Sequence, residues 1–290
     1  MTTTEDLVRA RVPYVRATVV RAQHPTSSHA GDTALLRADG SIEGFVGGSC
    51  AESSVREYGL RALHAGEPLL LRIVPGHAPA GAEPGAVTVA NPCLSGGSME
   101  IFLEPRLPAP RVVVVGDTPI AHALVALGGP LGFDVSLAGG DPRQDDAALV
   151  VASHGRGEEP ALTAALRAGV PYVGLVASRL RGAAVLASLD VPDELRARVH
   201  SPAGLDLGGG TAAEIALSIL AELVAERRAA VRAAAAPPAP ATAADPVCGM
   251  TVAAVLTSVH LQTDAGVLYF CCAGCRDSYA ADPARYAPAG

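Results

Sequence analysis

The residues best equipped for chemistry are the six cysteines, and two of them stand beside paired glycines. In Phe45–Ser53, FVGGSCAES, Cys50 follows Gly47, Gly48 and Ser49, while Ser49 and Glu52 have capping-box spacing ahead of Val55, Leu60 and Leu63. That spacing predicts a helix beginning at Cys50, with the two glycines making the turn into it. A thiol in the first turn of a helix faces unpaired N–H groups and the positive end of the macrodipole. These lower its pKa from about 8.5 toward neutrality and make the turn an anion cradle. The alternative is that Cys50 packs as a small buried hydrophobe. NPCLSGGSME sets Cys93 beside a second such turn, with Gly96 and Gly97, directly before a strand. If the two turns converge, they form a soft, anion-accepting pocket for a thiophilic metal or its sulfur ligands.

The other four cysteines lie near the C-terminal end, in DPVCGM and LYFCCAGCRDSYAADPARY: Cys248, then 22 residues to Cys271, then three to Cys275, with Cys272 between. One distant cysteine and a close pair have the arithmetic of a treble-clef metal site. Three thiolates suit Zn(II) or Cu(I), with Cys272, His260 or solvent as the fourth ligand. Equally, zinc would serve only to hold together about 45 residues too few to fold well alone.

A third set follows the strand RVVVV. In GDTPIAHALVALG, Gly116, Asp117 and Thr118 open a glycine turn into a helix, where a phosphate can sit. Pro119 and His122 stand near the later glycines of a dinucleotide fingerprint, and the next strand, DVSLAGG, ends without an acid for a ribose; Asp141 comes late. A standard NAD site is therefore not expected. The ends of AALVVAS and YVGLVA lead to His154 and to Arg179 and Arg181, positions that line the crevice of an open α/β sheet. Arg179 is the best anion contact; His154 is either a ligand contact or a solvent-facing loop residue. No Ser/His/Asp order or nucleophile elbow is visible, and no catalytic residue is assigned.

These residues need three supports. Three prolines, Pro105, Pro108 and Pro110, precede RVVVV, and VRAAAAPPAPATAA reads as an Ala/Pro linker over 231–244. The pieces are 1–109, 110–230 and 245–290. The middle piece alternates strand and helix, which implies a Rossmann-like, doubly wound parallel sheet; it ends in a helix from about Ala212, capped by Thr211 and Glu214. The first piece has strands at TALLRADG, SIEGFVGG, EPLLLRIV, AVTVA and SMEIFLEP and one helix, so it is a small α/β domain.

Composition narrows the function. All 22 basic residues are Arg, so phosphate-binding, Schiff-base and general-base lysines are excluded. A net charge of −7 argues against a nucleic-acid footprint. No apolar run approaches the roughly 18 residues of a bilayer span, and the first residues lack the order of a signal peptide. A cytoplasmic protein with reduced thiols is expected.

PTSSHAGDTALLRADGSIEGFVGGSCAESSV resembles the N-terminal domain of the XdhC and CoxI type of maturation factors for molybdenum hydroxylases, such as xanthine dehydrogenase and aerobic carbon monoxide dehydrogenase. NPCLSGGSMEIFLEP is similar to the second family block in its CoxI-like form, and GDTPIAHALVALGGPLGFDV, PYVGLVASRLRGAAVL and SPAGLDLGGGTAAEIALSILAELVA resemble the C-terminal Rossmann domain. The resemblance implies binding of the molybdenum cofactor, as molybdopterin or its nucleotide form, at Gly47, Gly48, Cys50, Glu52 and Cys93. It also implies an apo molybdenum hydroxylase and a cofactor-sulfurating enzyme as partners, and a homodimer. The tail resembles a YHS or TRASH-type metal-binding domain, in which a thiol at Cys272 is a departure that favours a softer metal. A copper-type module fused to such a factor hints at assembly of a carbon monoxide dehydrogenase Mo–Cu centre.

The reading is a maturation chaperone that need not catalyse anything: a cofactor-contacting domain around Cys50 and Cys93, a Rossmann-like domain supporting the same cleft, and a tethered metal module. Its rivals are an NAD(P)-dependent oxidoreductase and a copper or zinc trafficking protein acting through the tail.

Overall fold

The computed structural model describes residues 4–76, 81–91, 97–137, 142–233 and 240–286. The chain folds into two compact units, Met1–Pro108 with Ala236–Gly290, and Ala109–Ala235. Cys93, Gly96 and Asp141 lie outside the described residues.

The first unit opens with α1 (Thr4–Arg9) and continues through β1 (Tyr14–Gln23), β2 (Thr33–Arg37), β3 (Ile42–Gly44), α2 (Ser49–Ala65), β4 (Leu69–Pro75), β5 (Gly81–Glu83), β6 (Ala86–Asn91) and β7 (Ser98–Arg106). The strands form one mixed sheet in the order β3-β2-β1-β7-β4-β6-β5. Strand β1, absent from the sequence reading, lies in its middle: Val15 pairs with Leu36 of β2 on one side and with Pro105 of β7 on the other. Val15, Ala17 and Val19 of β1 point inward and are fully or almost fully buried. They join Leu36, Leu71, Ile73, Ile101 and Leu103 in a core against Val55, Leu60 and Leu63 of α2. Apolar side chains at alternate strand positions meet a helical stripe, the arrangement that closes one face of a sheet.

The second unit contains β8 (Arg111–Val115), α3 (Pro119–Gly128), β9 (Asp134–Leu137), β10 (Ala148–Val151), α4 (Glu158–Ala168), β11 (Tyr172–Leu175), α5 (Arg179–Ser188), α6 (Asp193–Arg196), β12 (Val199–His200) and α7 (Ala212–Ala233). Its sheet is parallel, in the order β12-β11-β10-β8-β9. Both faces are covered. Val112 and Val114 pack with Leu124 of α3 and Ile219 and Leu223 of α7; Val113, Leu149 and Val151 pack with Leu162 and Leu166 of α4. This is the expected doubly wound α/β pattern. The Thr211–Glu214 box closes as read: the Thr211 N–H donates to the Glu214 carboxylate at 2.7 Å, and the Glu214 N–H to the Thr211 hydroxyl at 3.4 Å.

The C-terminal segment returns to the first unit as two hairpins, β13 (Thr242–Ala244) with β14 (Thr251–Ala253) and β15 (Val259–Thr263) with β16 (Gly266–Phe270), followed by α8 (Ala273–Ala281). Ala253 is part of the first sheet's core and Val255 packs on it, while the Thr257 hydroxyl donates to the Asp39 carbonyl at 2.9 Å. The segment has too little apolar side chain of its own for an independent core, and the α2 side of the sheet supplies the missing surface. No helix among the described residues is long and apolar enough to cross a membrane.

Candidate functional site

Gly47 takes φ 130°, a conformation costly for any other residue, and brings the chain into α2 past Met99. The helix begins one residue before the sequence reading, at Ser49, with Gly48 as its N-cap and no side chain capping it. The Ser49–Glu52 capping box is therefore a correction. Ser49 has become the first helical residue, so its hydroxyl no longer occupies the cap position. The Glu52 N–H donates to the Gly48 carbonyl at 3.0 Å. Cys50 remains in the first turn, half-buried, at a helix end with no side-chain acceptor of its own.

Cys50 is not an ordinary core residue. It packs in one cluster with Cys248, Cys271, Cys272 and Cys275 around Met250 and Val252. Among the described residues, two sets of potential ligands have all their donor atoms within 4.8 Å of one another: Asp245, Cys248, Cys271 and Cys275; and Cys50, Cys271 and Cys272. The Cys248 and Cys271 sulfurs are 3.6 Å apart, and those of Cys271 and Cys275 are 3.7 Å apart. Sulfurs bound tetrahedrally to zinc at about 2.3 Å stand about 3.8 Å from each other, so the spacing already suits a metal. His260 belongs to neither set; its Nδ1 lies 2.9 Å from the Ser258 carbonyl.

The folding reason lies in Asp245, which the sequence reading passed over. Its carboxylate, 1% exposed, accepts the N–H of Val247 at 2.8 Å and of Cys248 at 3.4 Å on one oxygen, and the N–H of Cys271 at 2.8 Å on the other. One side chain thus fixes both cysteine-bearing turns. Asp-Pro at 245–246 was the available signal, because such an Asp bonds its own backbone two residues on. Burial pushes the Asp245 carboxyl up, but the N–H groups of Cys271 and Val247 outweigh it and hold it below the ordinary carboxylate range. The Cys271 thiol, by hydrogen bonding, holds Cys248 below the usual thiol range against burial. Cys271 is itself pushed up by its bonds to Cys248 and Cys50 and by burial, and Cys275 is pushed up chiefly by burial. Crowded, half-buried thiols cannot all ionise together unless a cation joins them.

In the second unit, two hollows open at the carboxyl ends of the parallel strands. One, about 440 Å³, is lined by Gly116, Asp117, Thr118, Leu137, Ser153, His154 and Arg156. It lies between β8 and β10, where the strand order reverses and such sheets bind ligands. Gly116 is required there: at φ 128° an added Cβ would stand 2.3 Å from the Ala152 carbonyl. Thr118 caps α3, accepting the Ala121 N–H at 3.2 Å and donating to Ala152 at 2.8 Å, so its hydroxyl is committed to the fold. Asp117 is exposed and paired with His122 at 2.7 Å.

The second hollow, about 860 Å³, contains Arg179, Arg181, Ser201, Asp206 and, again, His154. Arg181 is held by the buried Glu158 at 2.6 and 2.8 Å, and Glu158 also accepts the Gly155 N–H at 2.8 Å. Glu158 therefore fixes the His154 loop, a role the sequence did not reveal. Arg179 is 84% exposed, 3.6 Å from Asp206, and is the more available cation for an anion. Gly97, a further sequence candidate, serves packing: an added Cβ would stand 2.2 Å from the Pro25 carbonyl.

Residues 7–74 match the model of the XdhC and CoxI family, and residues 112–223 match that of the XdhC Rossmann domain. The chain belongs to the XdhC and CoxI family. Among curated proteins it is 30% identical, over 73% of its length, to the uncharacterized protein YqeB of Escherichia coli strain K12, and it spans 43% of that relative. Among solved structures it is similar to a Bacillus halodurans protein described as a xanthine dehydrogenase. The identity is 16%, the coverage 80% of this chain and 96% of the other, and the TM-score 0.40, too low to carry an argument.

Proposed function

We propose that this XdhC and CoxI family member is a maturation factor for a molybdenum hydroxylase, which holds the molybdenum cofactor while it is modified and passed to the apo-enzyme. The observation that carries this reading is Cys50, a half-buried thiol in the first turn of α2, behind Gly47 and Gly48 and at a helix end with no side-chain cap. This donor set fits the group: a thiolate suits molybdenum or its sulfur, and a helix N-terminus with no side-chain cap suits an anion. The cofactor, when bound, supplies the redox metal of the client enzyme. The chain's own task is to hold and shield it. In the Rossmann unit, Arg179 and the turn at Gly116 offer places for a phosphate. An apo molybdenum hydroxylase and a cofactor-sulfurating enzyme are the partners that fit, and a self-associated factor would present two such sites. A soft metal in the tail makes a hydroxylase with a Mo–Cu centre, of the carbon monoxide dehydrogenase kind, the client to try first.

The test is the molybdenum, copper and zinc content per chain after co-production with the cofactor pathway, for the parent, Cys50→Ala and Cys248→Ser. Molybdenum lost in Cys50→Ala and kept in Cys248→Ser supports the reading. Molybdenum absent from all three, with copper or zinc bound, transfers the function to metal trafficking through the tail. Point variants serve better here than deletion of the tail, since Ala253 belongs to the sheet core.

A further inference from the structure

The two ligand sets share Cys271, and no set of mutual neighbours within 4.8 Å contains all five thiols. A single ion needs its sulfurs about 3.8 Å apart, so an ion held by Cys248, Cys271 and Cys275 cannot also be held by both Cys50 and Cys272. Yet Cys50 and Cys272 complete a second triangle on the same buried sulfur. We infer that Cys50 of the sheet domain and Cys272 of the tail form, with Cys271 as the bridging thiolate, a second soft-metal site beside the Cys248–Cys271–Cys275 site. The chain then binds two thiophilic ions.

Three features support this. The sulfur count fits three-coordinate ions: two triangles sharing one corner use the five described cysteines and leave none over. Thiolate donors suit Cu(I) and Zn(II) alike, and three-coordination favours Cu(I), because structural zinc takes four ligands. Two helices also begin at the cluster. Cys50 lies in the first turn of α2, Cys272 is the N-cap of α8 and Cys275 lies in its first turn, and neither helix has a side-chain cap hydrogen bond. Each N-terminus carries roughly half a positive charge, which favours anionic sulfur. Finally, Cys271 is 4% exposed and hydrogen-bonded from its backbone to Asp245, so the bridging atom is held in place while Cys50 and Cys272 keep an open side. The tail ion is thereby joined to the thiol on which the proposed cofactor site rests, yet binding of the bare ion requires no molybdenum cofactor.

Anaerobic titration of the full-length, reduced, metal-free chain with Cu(I), against a chromophoric Cu(I) chelator, tests the inference. The parent should take up two ions per chain. Cys50→Ser and Cys272→Ser should each take up one, as should Cys248→Ser. Serine is a good N-cap, so Cys272→Ser leaves α8 intact and reports on the metal alone. One ion in the parent overturns the bridged pair, even if Cys50→Ser removes it. Two ions retained in Cys50→Ser overturn the contribution of the sheet domain. Because no molybdenum is present, either outcome leaves the maturation reading to its own test.

Discussion

The Cys50 sulfur, in the first turn of α2, lies within 4.8 Å of the Cys271 sulfur at the end of β16. The half-buried thiol of the sheet domain therefore stands against the segment that carries the four clustered cysteines. Metal bound there should protect it. We expect iodoacetamide to modify Cys50 at least about tenfold more slowly in the zinc-loaded chain than in the metal-free one, because the alkylating species is the thiolate and the ion occupies it. Peptide mass analysis gives the rate at each cysteine. Equal rates with and without metal would mean that the ion leaves Cys50 untouched.

Docking of the tail depends on Gly40. At φ 83°, an added Cβ there would stand 2.6 Å from the Thr257 hydroxyl and 2.9 Å from a Val255 methyl. Gly40→Val should destabilise the chain by roughly 1 to 3 kcal/mol through backbone strain and overlap and, more tellingly, should speed alkylation of Cys50. Thr257→Val, which removes only the bond to the Asp39 carbonyl, should cost about 1 kcal/mol. A Gly40→Val chain as stable as the parent, with unchanged labelling, would show that this contact does not hold the tail.

Asp245 should matter to the metal without ligating it. Its oxygens accept N–H groups from both cysteine turns, and Asp245→Asn puts an N–H₂ where an acceptor is needed. Removal of such a supporting group typically lowers metal affinity about 10- to 100-fold. Zn(II) competition should show that loss with the stoichiometry unchanged. A change in stoichiometry instead would make Asp245 a direct ligand.

Much of this was legible in the chain. RVVVV followed by a glycine turn, and the later alternation of strand and helix, announced a parallel sheet because a strand covered on both faces must be apolar throughout. The cysteine spacing announced that Cys248, Cys271 and Cys275 come together, as their sulfurs do at 3.6 and 3.7 Å. Strand β1 was hidden because its outward positions, including Arg16 and Arg21, dilute the apolar signal that Val15, Ala17 and Val19 carry. The Ser49–Glu52 spacing misled because a capping box and a helix that starts one residue earlier share the same letters. The meeting of Cys50 with Cys271 could not be read at all. It depends on which surface Ala253 and Val255 choose to cover, and local periodicity holds no record of that choice.

Glu57 offers a test by pH. It lies on α2, 2% exposed, and burial raises its carboxyl to about 7 although Arg61, 2.7 Å away, works against the rise. A carboxyl raised in the folded state is protonated there while the unfolded chain has already released the proton, so between pH 4.5 and 7 the native state binds more protons. Stability must then fall as pH rises through that window and level off above it. Glu57→Gln keeps a hydrogen-bond acceptor for Arg61 and has no proton to lose. We expect its melting temperature to exceed the parent's at pH 8 and to approach it near pH 4.5, with the difference growing between those limits. Parallel curves for the two chains would mean that Arg61 keeps the Glu57 carboxylate ionised throughout.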